Sequence, residues 1–230
     1  MREADALLEL QAADVEIMRA GKRLDELRIP MMVQDNSSRF GTAFTAMFFS
    51  SILFLTEIWQ YSILRAGFAV APGPALVAVL APYVGNLAGR IGQRPLVLTG
   101  GVVFAIGGLW RLVFLTETPA YVTDYLPSML FTGLGVSMCL PQLSSVVAQA
   151  LPPNRLGVGG GSNQAIRQFG GTLGVALTIA FLAAPESLSD ALSNFDLVWW
   201  LLIGGGLLTT LLSIPLVTRR ASAQFSGSSR

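Results

Sequence analysis

The chain has 230 residues, with 15 Lys+Arg, 14 Asp+Glu, one Cys and no His, for a net charge of +1. Hydrophobic residues make up 52% and charged residues 13%, against roughly 25% charged in a soluble domain, and mean hydropathy is +0.59. This composition excludes an electrostatic footprint for nucleic acid, an intrachain disulfide, a Cys/His zinc site and every triad or metalloprotease that needs histidine.

The charges are also unevenly placed. Residues 1–39 hold 14 of the 29 and residues 219–230 hold three, which leaves 12 for the 179 residues from 40 to 218. A stretch that poor in charge is expected in lipid.

Residues 1–27 open the chain with Leu10, Ala13, Ile17, Ala20, Leu24 and Leu27 at helical spacing among charges, which predicts an amphipathic helix. Charges throughout this segment argue against a cleavable signal peptide. Pro30 is expected to end it. Six apolar runs follow, at 40–63, 66–88, 95–115, 126–150, 157–183 and 197–217. Each has about the 20 residues needed to cross a hydrocarbon core of roughly 30 Å. Lipid satisfies no free backbone polar group and the runs do not alternate, so helices are predicted, not a barrel. The tail 221–230, rich in Ser, is expected to be disordered.

Basic residues set the expected orientation. Arg90, Arg94, Arg155, Arg219, Arg220 and Arg230 fall on the side of the termini. The other side carries Arg65, with Arg111 near a helix end, and the acids Glu117, Asp124, Glu186, Asp190 and Asp196. The positive-inside rule then places both termini in the cytoplasm.

Within the spans, glycine pairs at 100–101, 107–108, 133/135 and 204–206 predict helices packed by close backbone approach. Pro72, Gly73 and Pro74, followed by Pro82, mark a kink or a hinge. In the fifth span Gly160, Asn163, Arg167, Gly171 and Gly174 share one helical face. Arg167 there either lines a polar pathway, pairs with an acid, or snorkels to the interface. Glu57 is the only acid inside an apolar run. It is either a proton-binding group or an interfacial residue beside Trp59 and Tyr61. The run 157–161 lacks the Lys-Ser/Thr of a P-loop and follows no strand, so it is read as helix packing.

Three stretches resemble the major facilitator superfamily, and specifically the second half of its fourteen-helix drug:proton antiporters. Phe54-Leu55-Thr56 through Ala66-Gly67 leads into Ala71-Pro72-Gly73-Pro74. Residues 165–176 are similar to the ARQ-x-GG-x-x-GVA signature. Gly85, Arg90, Gly92 and Arg94 resemble the G-x-L-A-D-R-x-G-x-R cytoplasmic loop, with Gly89 at its acidic position.

The resemblance covers residues 40–218 and implies an all-α, polytopic membrane protein, a six-transmembrane-helix bundle equal to half a facilitator fold. It would carry a leader (1–39), the membrane domain (40–218) and a tail (219–230). It implies proton-coupled efflux of drugs or small metabolites, with Arg167, Asn163, Gln142 and Gln168 at the cavity or its gate. Pro72, Gly73 and Pro74 would then permit bending. The helices that usually carry the family's proton-coupling acid belong to the missing first half, so Glu57 stays a candidate proton site on its own reading as a lone acid in an apolar run.

No cofactor or metal and no catalysis are expected, the proton gradient being the energy source. The expected partners are the bilayer, a small-molecule substrate, and a second six-helix half or the chain itself, without which transport is not expected. The expected location is the cell (inner) membrane. The alternative reading is a non-transporting assembly or scaffold subunit, or an inactive truncated transporter.

Overall fold

The computed structural model describes residues 31–150, 156–183, 185 and 187–214. The amphipathic leader, the Pro152-Pro153 turn with Arg155, Glu186 and the C-terminal tail lie outside them. Among the described residues there is no strand. The helices are α1 (Met31–Ile58), α2 (Ile63–Val70), α3 (Pro72–Ile91), α4 (Gln93–Phe114), α5 (Leu126–Ala150), α6 (Leu156–Phe181) and α7 (Leu188–Ser213). Counting α2–α3 as one run, six cross the length of the bundle. Five are long and apolar enough to span a membrane. The sixth, α6, has the length, 26 residues, but is not among those five.

Several boundaries depart from the apolar runs. The first helix is already formed at Met31, the first described residue, and takes in the polar stretch before Phe40, whose polar groups find partners. Buried Asn36 donates to the Ser213 hydroxyl at 2.8 Å and the Thr209 carbonyl at 3.3 Å on α7, and Asp35 pairs with Arg39 at 2.9 Å one turn on. It stops at Ile58, not residue 63. Its last turn, Phe54–Ile58, is π-helical.

A second π turn, Tyr121–Tyr125, leads into α5, so part of the expected 116–125 loop is helical. The last helix starts at Leu188, with the Ser187 hydroxyl accepting from the Asp190 amide as an N-cap. Asp190 and Asp196 therefore lie on a membrane-length helix, and Glu57 is not the only acid that does.

In the packing, α4 lies against α5 on one side and α7 on the other, and α3 lies on the outer side of α5. Glycine periodicity explains the closeness. A Cβ at Gly100 would sit 2.7 Å from Met138 Cβ, and one at Gly107 3.0 Å from the Thr132 amide, both on α5. A Cβ at Gly101 would sit 2.6 Å from the Gly206 carbonyl, and one at Gly108 3.1 Å from Leu202, both on α7.

Helix α1 is the spine. Val33, Phe40, Ala43, Ala46, Met47, Phe54 and Leu55 are all buried, with Phe40 on Phe104 of α4 at 5.1 Å. Helix α6 rides on α1, where Gly170 and Gly174 meet the Ser38 and Thr42 carbonyls with no room for a side chain.

Gly92 makes the turn between α3 and α4. Its φ of 90° and ψ of 165° lie in a region that is essentially glycine's alone. Gly92→Ala is expected to cost about 1–3 kcal/mol. Gly89→Ala, in a helix with open space around it, should be neutral or slightly stabilising. Thermal unfolding of the two variants in detergent checks the contrast.

Candidate functional site: a polar helix face and an apolar cavity

The arginine-bearing face of α6 divides in two. Asn163, Gly170, Gly171 and Gly174 turn inward, and Asn163 is buried with its Oδ1 unbonded among the described residues. Gly160, expected on the same face, looks into open space. Gln164, Gln168 and Thr172, spaced four apart, are exposed. Arg167 is half-buried, and its backbone carbonyl would lie 3.0 Å from a Cβ at Gly41 of α1. Its guanidinium donates to the Gln164 side chain of its own helix. Arg167 stands about 16 Å along α6 from Leu156, and among the described residues no carboxylate pairs with it.

A cavity of about 260 Å³ lies between α1, α3 and α5. Phe44, Met47 and Phe48 come from α1, Gly73, Pro74, Val77 and Ala78 from α3, and Met129, Thr132, Gly133, Val136 and Leu140 from α5. The Thr132 hydroxyl is spent on the Ser128 carbonyl at 2.9 Å, so the wall is apolar. Such a wall selects by shape and by contact with polarizable Met and Phe rather than by hydrogen bonds.

The Pro72–Gly73–Pro74 segment forms part of this wall. Pro72 starts α3 at its first position and Ala71 keeps helical torsions, so α2 and α3 are nearly continuous. Gly73 lets α3 approach α5: a Cβ there would sit 2.7 Å from Met129 Cε.

The other expected site residues are dispersed. Gln142 is buried on α5. Glu57 is exposed on the π turn of α1, where its backbone carbonyl accepts from the Gln60 side chain at 2.6 Å. Gly85, Arg90 and Arg94 are exposed around the Gly92 turn. At the opposite end a cavity of about 500 Å³ is lined by Glu117, Asp196 and Trp199, among others. The aromatic and Met lining of the apolar cavity was missed by sequence reading, because core and cavity side chains look alike in an apolar run. Arg111 was missed too, although a charge between Trp110 and Leu112 was a signal.

Membrane-length helices meeting through glycine, with one polar helix face turned outward, make this an integral, multi-pass membrane protein. The Major Facilitator Superfamily model matches residues 37–229, and the chain belongs to that family.

The chain is similar to the multidrug resistance protein Stp of Mycobacterium tuberculosis (strain ATCC 25618 / H37Rv), with 34% identity over 131 residues, 57% of this chain and 24% of that protein. It is 25% identical to the multidrug export protein EmrB of Escherichia coli (strain K12) over 60% of this chain and 27% of that protein. To the quinolone resistance protein NorB of Staphylococcus aureus (strain JH9) it is 28% identical over 71% of this chain and 35% of that protein. The matched region thus spans only about a quarter to a third of these relatives' lengths.

Proposed function

We propose that this six-helix chain is one half of a proton-coupled efflux antiporter for drugs or small metabolites, equivalent to the C-terminal half. It works with a second six-helix half, whether that half is another polypeptide or a second copy. The outward polar stripe of α6 carries this reading. Gln164, Gln168 and Thr172, with Arg167 beside them, would be costly against acyl chains, so they suit a water-filled path or a facing protein half.

The apolar cavity supports it as well. At about 260 Å³ it falls below the roughly 300–1,000 Å³ of a complete small-molecule pocket, as one wall of a shared site would. The family and the relatives named for drug export favour efflux. In this reading Asn163, Arg167 and Gln168 line the path, Gln142 stands at its gate, and Glu57 is the candidate proton carrier. The chain needs no cofactor and catalyses no covalent step. Both termini lie in the cytoplasm of a cell-membrane protein, as the arginines Arg90 and Arg94 at the Gly92 turn suggest.

The test is efflux of a fluorescent substrate from vesicles under a proton gradient, with the chain alone and with its co-purifying partner. Transport is expected only with the second half. In that complex Arg167→Ala is expected to reduce efflux more than tenfold while leaving insertion intact. Unchanged efflux would make Arg167 a snorkelling residue. Efflux by the chain as a lone monomer would overturn the half-transporter reading.

A further inference from the structure

Arg111 is the one fully buried charged residue among the described residues. It lies about 27 Å along α4 from Gln93, at the bundle end remote from the Gly92 turn. Nη1 donates to the Ser51 hydroxyl of α1 at 2.7 Å, and Nη2 approaches Met129 Sδ of α5 at 3.0 Å. Its Cζ stands 5.0 Å from the Trp199 ring of α7 and 5.4 Å from the Tyr125 ring, both within cation–π range. Among the described residues no carboxylate meets it.

This side chain therefore ties α4 to α1, α5 and α7 through two ring faces, a hydroxyl and a thioether. A guanidinium without a carboxylate partner in a low-dielectric interior carries a desolvation cost that an apolar side chain of similar volume would not.

The two π turns explain its position. Tyr125 is the last residue of the π turn before α5. Phe54 opens the π turn of α1 and packs on Trp199 at 6.0 Å, while Ser51 precedes that turn on the same helix. Ser50 and Ser51 both return their hydroxyls to the Met47 carbonyl, Ser50 at 3.1 Å, a back-bonding that bends a helix. A π turn is a widened, irregular stretch that regular helix bonding does not select on its own. The guanidinium meets the second turn directly, through the Tyr125 ring. It meets the first by way of Ser51, three residues before it, and of Trp199, which packs on Phe54.

We propose that Arg111 is a positioning residue, a cationic pin caged by Trp199 and Tyr125 that holds both π turns in place and so sets how the far ends of α1 and α5 bend. The fork and the charge are both needed. The fork reaches Ser51 and Met129 at once, and the charge engages the two rings.

The experiment is amide hydrogen exchange on the full chain in lipid nanodiscs, followed at residues 54–59 and 121–126, with the mid-helix amides of α3 as internal control. R111M keeps the length and removes the charge. It is expected to exchange roughly tenfold faster at both turns with α3 unchanged, and R111K should recover part of the protection. R111A leaves the cage open, and millimolar guanidinium chloride, but not sodium chloride at the same concentration, should restore its protection.

Wild-type protection at both turns in R111M would overturn the proposal, because filling the space would then suffice. Faster exchange spread over every helix would overturn it too, showing a general packing role. If R111A does not insert, R111K against R111M decides: equal exchange in the two rejects the charge.

Discussion

Trp199→Ala is expected to destabilise the bundle by about 3–5 kcal/mol, the range for truncating a buried aromatic. The indole is 1% exposed. It stacks on Phe195 at 5.9 Å, meets Phe54 edge-on at 6.0 Å and lies 5.0 Å from the Arg111 guanidinium. Its removal opens a cavity where α1, α4 and α7 converge, and those helices cannot collapse into it without moving their glycine contacts. The adjacent Trp200 is 57% exposed, and Trp200→Ala should stay within about 0.5 kcal/mol. Denaturation in detergent, followed by far-ultraviolet circular dichroism, measures both. Equal losses in the two variants would contradict the packing described.

Gly101→Leu should be at least as damaging, at about 3 kcal/mol or more, the upper end of overpacking costs. The obstacle is backbone. The new Cβ would fall 2.6 Å from the Gly206 carbonyl and 3.2 Å from the Thr210 amide nitrogen, and neither can turn aside as the end of a long side chain could. Helix α4 would have to leave α7, and with it the bond from the Thr210 hydroxyl to the Leu98 carbonyl at 3.2 Å. Gly204→Leu lies on the same helix as Gly206, but nothing stands within 4 Å of its Cβ, so a near-neutral result is expected. Yield of monodisperse protein and unfolding midpoint report the difference. Apolar surfaces gain little from meeting one another in lipid, so no hydrophobic term remains to rejoin helices that the new side chain has pushed apart.

These two pairs show where sequence reading reaches its limit. Trp199 and Trp200 are neighbours in one apolar run, and Gly204 shares one glycine cluster with Gly206, the residue that Gly101 meets. Hydropathy and spacing give each pair one value, whereas the azimuth of α7 against α4 and α1 gives it two. Asn36, which the sequence reading did not single out, and Arg111, which it placed near a helix end as found, show the opposite limit: their burial was not legible. A polar residue reads as a loop or a helix end until its partners are known. Those partners, Ser213 and Thr209 for Asn36, and Ser51, Met129, Tyr125 and Trp199 for Arg111, come from other helices.

On α6 the expectation was closer. Of the expected face, Asn163, Gly171 and Gly174 pack inward, while Gly160 meets open space and Arg167 is only half-buried, and the exposed polar stripe at Gln164, Gln168 and Thr172 lies a short rotation away.

The sequence by itself determined the solvent and the class of fold. Few charges over 179 residues, runs of about 20 apolar residues and glycine at helical intervals leave only a helical bundle in a bilayer, since lipid satisfies no free backbone group. Tertiary structure alone decided which glycines are contacts and which face open space, where the π turns fall, which indole is core, and that a lone arginine is buried among rings. Each of those depends on the rotation and depth of one helix against another. That relation is set by non-local contacts, and residue spacing within a single helix does not encode it.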